Sequence, residues 1–195
     1  LGLTGSAVAS PFYIDTGSNF DGETTGTSDK VCDTCTALKD EILYAYESQS
    51  TTQDTDGSGD LSAGDTISTE GGWNVNGGLL SNNAVTNLNP QQGLNTSTNN
   101  SNGLNVNWGL TFSFTGLKGI ITEYNGTDTL EIAYGPFGTF DLFYTEDEVT
   151  FINFMDIVVT GASTVSGGTL LTGLIDFTNV DASMNNLFHS GGATC

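Results

Sequence analysis

No arginine occurs among the 195 residues, and only three lysines (Lys30, Lys39 and Lys118) stand against 23 aspartates and glutamates, a formal net charge of −20. A surface of that sign repels phosphate backbones and anionic headgroups alike, which excludes nucleic acid and acidic lipid as partners. It also leaves no guanidinium to clamp an anionic substrate. Histidine occurs once, as His189 in the polar sequence Phe188-His189-Ser190-Gly191-Gly192, and no neighbour makes it a catalytic base, so a surface position is expected. No apolar stretch approaches the ~20 residues of a membrane-spanning helix. Neither a nucleophile motif nor a phosphate-binding glycine loop is present, and the expectation is a protein without catalytic activity.

Cysteine is scarce and odd in number: Cys32 and Cys35 in Cys32-Asp33-Thr34-Cys35, and Cys195. Covalent haem attachment needs a histidine after the second cysteine, and Cys35 is followed by threonine. A zinc site would have to recruit His189 and Cys195 from far along the chain. A thioredoxin-like role lacks a strand–helix–strand setting. Two disulfide arrangements remain open: Cys32–Cys35, leaving Cys195 free or linked to another molecule, or Cys195 tied to one member of the pair.

Gly, Thr, Asn and Ser dominate, with eleven Phe, six Tyr and two Trp to build a core. The acids are scattered rather than blocked together, which points to a folded domain with an acidic surface. This is the composition of exported all-β proteins. Leu1 to Ala9 (Leu-Gly-Leu-Thr-Gly-Ser-Ala-Val-Ala) resembles the tail of a signal region, with small residues at Ala7 and Ala9. That is the preferred reading. The alternative is an exchangeable N-terminal strand that pairs with a neighbouring subunit's sheet edge. Residues 10–195 are expected to form one β-sandwich domain.

Residues 54–65 read Asp-Thr-Asp-Gly-Ser-Gly-Asp-Leu-Ser-Ala-Gly-Asp, a twelve-residue loop of the EF-hand or dockerin type. Asp54, Asp56 and Ser58 occupy positions 1, 3 and 5, with Gly59 at the sharp turn. Asp60 would bind through its backbone carbonyl, Ser62 fills position 9, and Asp65 closes the shell at position 12. A hard cation needs six or seven oxygens, and this spacing delivers them from one segment; Ca²⁺ is the expected cofactor. Aspartate at position 12 has a shorter arm than glutamate, which weakens bidentate ligation. The flanks, Ser48 to Gln53 and Thr66 to Gly72, are not amphipathic helices, so no sensor groove can open. A loop pinning two strands fits better, with a Kd on the order of 10⁻⁴–10⁻³ M, as in extracellular modules.

Alternation of apolar and polar residues predicts strands through the second half. Trp108, Leu110, Phe112 and Phe114 share one face, and Ile120 to Tyr124 resumes after Gly116 and Gly119. Asn125-Gly126 marks a hairpin into Thr129 to Tyr134. Thr139 to Tyr144, Val149 to Thr160 and Thr169 to Phe177 follow. In the first half a strand is expected from about Glu41, and Asn82 to Asn107 reads as a long surface loop. The expected fold is all-β, an antiparallel β-sandwich or jelly roll with long Asn/Thr/Gly-rich loops.

Asp15-Thr16-Gly17-Ser18 after Phe12-Tyr13-Ile14 mimics an aspartic-protease signature, but no second copy exists to share the proton, and a turn is expected. Asp15, Asn19, Asp21 and Glu23 offer oxygens for a second cation. Asn95-Thr96-Ser97, Asn99-Asn100-Ser101 and Asn125-Gly126-Thr127 are formal glycosylation sequons. Glu146, Asp147 and Glu148 are the nearest thing to paired hydrolytic carboxylates.

Taken in order, the signal-like start, the strand Leu43 to Tyr46, the loop 54–65, Asn107-Trp108-Gly109-Leu110 and Leu170-Leu171-Thr172-Gly173-Leu174 resemble exported bacterial PEP-CTERM-type surface and flocculation proteins. The Pro-Glu-Pro sorting tail that such proteins bear is not among these residues. The resemblance implies an extracellular matrix or cell-surface role and carries no catalytic residue. The expectation is a calcium-stabilised extracellular structural protein, a subunit of a matrix, surface layer or filament. It would self-associate through Leu1 to Ala9, with Cys195 as a covalent link. The alternative is a carbohydrate-binding β-sandwich in which Trp73, Trp108 and exposed tyrosines stack on polysaccharide.

Overall fold

The structure, a computed structural model, describes residues 10–72, 84–90, 100–127, 130–165 and 168–190. Eleven strands run β1 (Phe12–Ile14), β2 (Lys39–Ala45), β3 (Ser48–Gln53), β4 (Thr66–Gly72), β5 (Ala84–Pro90), β6 (Gly109–Tyr124), β7 (Leu130–Tyr134), β8 (Thr139–Thr145), β9 (Ile152–Val165), β10 (Gly168–Asp176) and β11 (Phe188–Ser190). Among the described residues the helical content is one 3-10 turn, Ala182–Met184. The strands form two antiparallel sheets, as the alternation predicts: β11-β1-β2-β5, and β10-β9-β8-β6-β4-β3 with β7 beside β6.

Alternation in β6 decides which side becomes core. Leu110, Phe112 and Phe114 stand opposite Tyr144, Leu142 and Phe140 of β8. They pack with Phe12 and Ile14 of β1, Val85 and Leu88 of β5, and Phe154 and Met155 of β9 in one buried cluster drawn from both sheets. Each large apolar side chain fully removed from water contributes about 1.5–3 kcal/mol. Trp108 closes one end, its ring 5.7 Å from Tyr144. β4 presses directly on β6: a Cβ on Gly72, whose φ is +88°, would lie 2.2 Å from the Phe112 carbonyl oxygen.

Three expectations need correction. Gly116 and Gly119 do not break the strand; β6 runs through both for 16 residues, changing partner from β8 to β7 along its length. Asn82 to Asn107 is not simply a surface loop. Ala84–Pro90 is β5, paired with β2, and Asn102 is wholly buried. His189 is not in a polar tail: it belongs to β11, pairs with Tyr13 in register, and stacks on that ring at 4.6 Å. Polar composition hides β5 and β11 because the partner strand lies far away in sequence.

Candidate metal centre

β3 and β4 form a hairpin in register from Ser48↔Gly71 to Gln53↔Thr66, and the loop 54–65 is its tip. Gly57, Gly59 and Gly64 all take positive φ, so the chain can curl its amides inward. The Asp54 carboxylate accepts from the Gly57 amide (2.7 Å) and the Gly59 amide (2.8 Å). Asp56 accepts from the Ser58 amide (2.9 Å) and from Ser62 Oγ (3.2 Å). Asp65, 1% exposed, accepts from the Thr55 amide (2.9 Å) on one oxygen and the Ser62 amide (2.8 Å) on the other. Ser58 Oγ donates to the Asp60 carbonyl at 2.9 Å, which turns both groups to the same point. The base of the loop is tied to β6, where the Gly64 amide donates to Ile121 O and the Ile121 amide to Asp65 O, both at 2.8 Å.

The outcome is convergence. One carboxylate oxygen from each of Asp54, Asp56 and Asp65 lies within 4.8 Å of the others. Amide and hydroxyl donors hold Asp56 below the usual carboxylate range, Ser58 contributing most. Asp65 is lowered likewise, first by the Thr55 amide and then by that of Ser62. Carboxylates kept ionised in this way do not have to shed protons before ligating a cation. All the donors are oxygens, which suits a hard ion and not a soft one. The fold therefore brings together the three aspartates read from the sequence, with Ser62 bridging two of them and Ser58 and the Asp60 carbonyl beside them.

The other oxygen cluster is already neutralised by the protein itself. Where Asn19, Asp21 and Glu23 converge, the buried Lys30 ammonium sits 2.8 Å from Asp21 Oδ1 and 3.1 Å from Asn19 Oδ1. It also donates to Asn102 Oδ1 at 3.0 Å. Asp15 stays apart from this group, accepting from Thr34 Oγ1 (2.6 Å) and from the Gly17 amide (3.0 Å) in the expected turn. Cys32 and Cys35 are joined in a disulfide, so neither is a thiolate ligand. Cys195, Trp73 and the sequons at Asn95 and Asn99 lie outside the described residues.

Asn102, which sequence reasoning missed, organises this region. Its Nδ2 donates to Ser18 O and Thr34 O at 2.8 Å and to Thr16 Oγ1 at 2.9 Å, while Oδ1 also accepts from the Phe20 amide at 3.1 Å. Trp108 Nε1 donates to its carbonyl at 2.8 Å. Trp108 is thus buried and bonded, and offers no face to a sugar. Asp147 accepts amides from Thr150 and Val149, which hold it at about 2, the opposite of a general acid.

A larger feature escaped the sequence altogether. Between the sheets lies a groove of about 800 Å³, with Tyr44, Tyr46, Phe112, Phe114, Phe140 and Leu170 among its walls. β10 borders it and, among the described residues, pairs only with β9, so its outer edge is free. No protein-family model, curated protein or solved structure matches the chain.

Proposed function

We propose that the protein is an extracellular structural subunit, a building block of a surface matrix or filament, with calcium ordering the β3–β4 hairpin. The observation that carries this reading is the β10 edge. Gly168–Asp176 is nine residues long, holds no lysine or proline, and exposes Leu170 (54%) and Leu174 (67%) beside the apolar groove. Proteins that stay monomeric blunt such edges with charge, proline or a covering element. An unpaired backbone next to an apolar trough is suited to receive an extended chain, with main-chain bonds for affinity and side-chain pockets for specificity.

The occupant we assign is Leu1 to Ala9 of a second copy. It carries no charged side chain. An acidic chain can accept such a segment without added repulsion. Bound in extended form, Leu1, Leu3, Gly5, Ala7 and Ala9 would share one side, two leucines and three small residues to set against the aromatic walls. A Cys32–Cys35 disulfide fits an oxidising compartment, in keeping with an extracellular site. The glycan-binding alternative loses Trp108, which is buried, and rests on Tyr44 and Tyr46, half-exposed in the groove wall.

Deleting residues 1–9 should leave a folded β-protein by circular dichroism that no longer forms ordered assemblies in negative-stain electron microscopy. Fibres from the full chain that fray on chelation support the reading; assembly unchanged by the deletion, or monomers in every condition, overturns it. Calcium should act through the hairpin separately. At about 10 mM, roughly ten times a Kd of about 10⁻³ M, it adds about 1.4 kcal/mol of stability, seen as a rise in Tm. Asp54→Ala should abolish the hairpin's share of that rise while changing the calcium-free Tm little. An equal response in the variant would remove the hairpin from the calcium assignment.

A further inference from the structure

A second set of oxygens is assembled by sheet pairing alone. Ser113 of β6 stands opposite Asp141 of β8, and Asp141 opposite Asp156 of β9. All three lie on the face away from Phe112, Leu142 and Met155, by strand alternation. A bulge in β9 adds a fourth member. Leu142 pairs with Met155 but Phe143 with Asn153, so Phe154 is the extra residue. Phe154 and Met155 both enter the core, which leaves Asn153 and Asp156 as neighbours on the opposite face. Asn153 Nδ2 donates to Asp156 Oδ1 at 2.7 Å.

Among the described residues, two oxygens of this set have no partner. Ser113 Oγ belongs to a residue with 0% exposure, and Asn153 Oδ1 is likewise shut off from water. An unsatisfied buried polar atom is costly, and native proteins rarely leave one without a reason. The carboxylates have their own conflict. Burial, and then the charge and proximity of Asp156, push the Asp141 carboxyl up. Asp156 also faces Asp176 of β10, a third acid in the row. Among the described residues no lysine relieves it: Lys30 is committed to Asp21, Lys39 donates to Ser101, and Lys118 lies further along β6 opposite Ser68.

We propose that Ser113, Asp141, Asn153 and Asp156 form a second site for a hard divalent cation, calcium by preference, that clamps β6, β8 and β9 together. Two carboxylates balance the ion's charge, and an amide oxygen and a hydroxyl complete an all-oxygen set of mixed type. Calcium accepts such irregular shells, completed by water, whereas magnesium demands a near-ideal octahedron. Asp141, the half-buried member, gives the ion its route in. The site does not depend on the hairpin loop or on assembly.

Calorimetric titration of the full chelator-treated chain with calcium chloride tests this. The wild type should take up roughly two ions per chain, and Asp54→Ala/Asp65→Ala roughly one, as expected for independent sites. Asp141→Asn/Asp156→Asn, nearly isosteric, should also take up one. A hairpin variant that folds by circular dichroism yet binds no calcium overturns the second site while leaving the hairpin intact. If the hairpin variant does not fold, the Asp141→Asn/Asp156→Asn protein decides. Unchanged stoichiometry there, with a raised Tm at neutral pH, would mean that the carboxyl pair only shares a proton.

Discussion

Asn102→Ala should lower the unfolding free energy by about 4 kcal/mol or more, the largest effect of any single substitution considered for this protein. Its amide group donates to Thr16 Oγ1, Ser18 O and Thr34 O and accepts from the Phe20 amide and the Lys30 ammonium, so one side chain ties three segments together. Truncation leaves the half-buried Phe20 amide without this acceptor and the buried Lys30 ammonium with one fewer, at about 1–3 kcal/mol for each group left short, more for the charged one. The ammonium then depends on Asp21, Asn19 and the Glu23 carbonyl. The residue sits at φ +47°, a conformation asparagine tolerates far better than most side chains, so no hydrophobic replacement is neutral. Against a total stability of about 5–15 kcal/mol for a domain, the loss is close to unfolding. Urea denaturation reads it directly. A midpoint shift equivalent to less than about 1 kcal/mol would show that water replaces the side chain and that Asn102 is not a hub.

Stability should rise, not fall, between pH 8 and about 10, the ordinary pKa range of lysine. Lys39 is fully buried in β2, its Nζ donating to Ser101 Oγ at 3.1 Å. Burial lowers its pKa to about 8, and Asp29 offsets only part of that. The folded state therefore releases the proton near pH 8, while the unfolded chain keeps it to about 10.4. Between those values the unfolded state binds more protons, so raising the pH favours folding. Below pH 8 both states are charged and the full burial penalty applies. The gain amounts to at most about 3 kcal/mol, since one pKa unit is worth about 1.4 kcal/mol. Tyrosine opposes it only at higher pH, because burial raises Tyr144 beyond its usual range. Denaturation midpoints at pH 7.5, 9 and 10 measure the slope, and Lys39→Met should flatten it. A wild-type curve that falls across this window would show that Lys39 stays charged with full compensation.

The convergence of oxygens at the hairpin tip was legible because its residues lie in one short segment. Asp54, Asp56, Ser58, Asp60, Ser62 and Asp65 share one short loop, and glycines at fixed offsets announce its curvature before any partner strand is known. β6 to β10 were legible for a related reason. One buried face imposes a two-residue period, so Leu110, Phe112 and Phe114 declare both the strand and its core side. The row Ser113, Asp141, Asp156 was invisible. Each residue alone looks like an ordinary outward position in a strand; only sheet order makes the three neighbours, and only the bulge at Phe154 adds Asn153 to them. Lys30 shows the same limit from the other side. Asn19, Asp21 and Glu23 resemble a cation site, and they are one, but the cation is an ammonium carried on the same chain.

By itself, then, the amino-acid order determined what depends on near neighbours: strand period, turn chemistry, acidic surface and a twelve-residue loop of oxygen donors. Tertiary structure alone decided what depends on residues far apart in the chain. Asn102 reaches Thr16 across 86 positions, β11 closes on β1, and β10 is left as an apolar edge beside a groove. Local pattern carries local energetics, whereas a buried hydrogen bond or an ion site exists only where folding has spent chain entropy to bring its partners together.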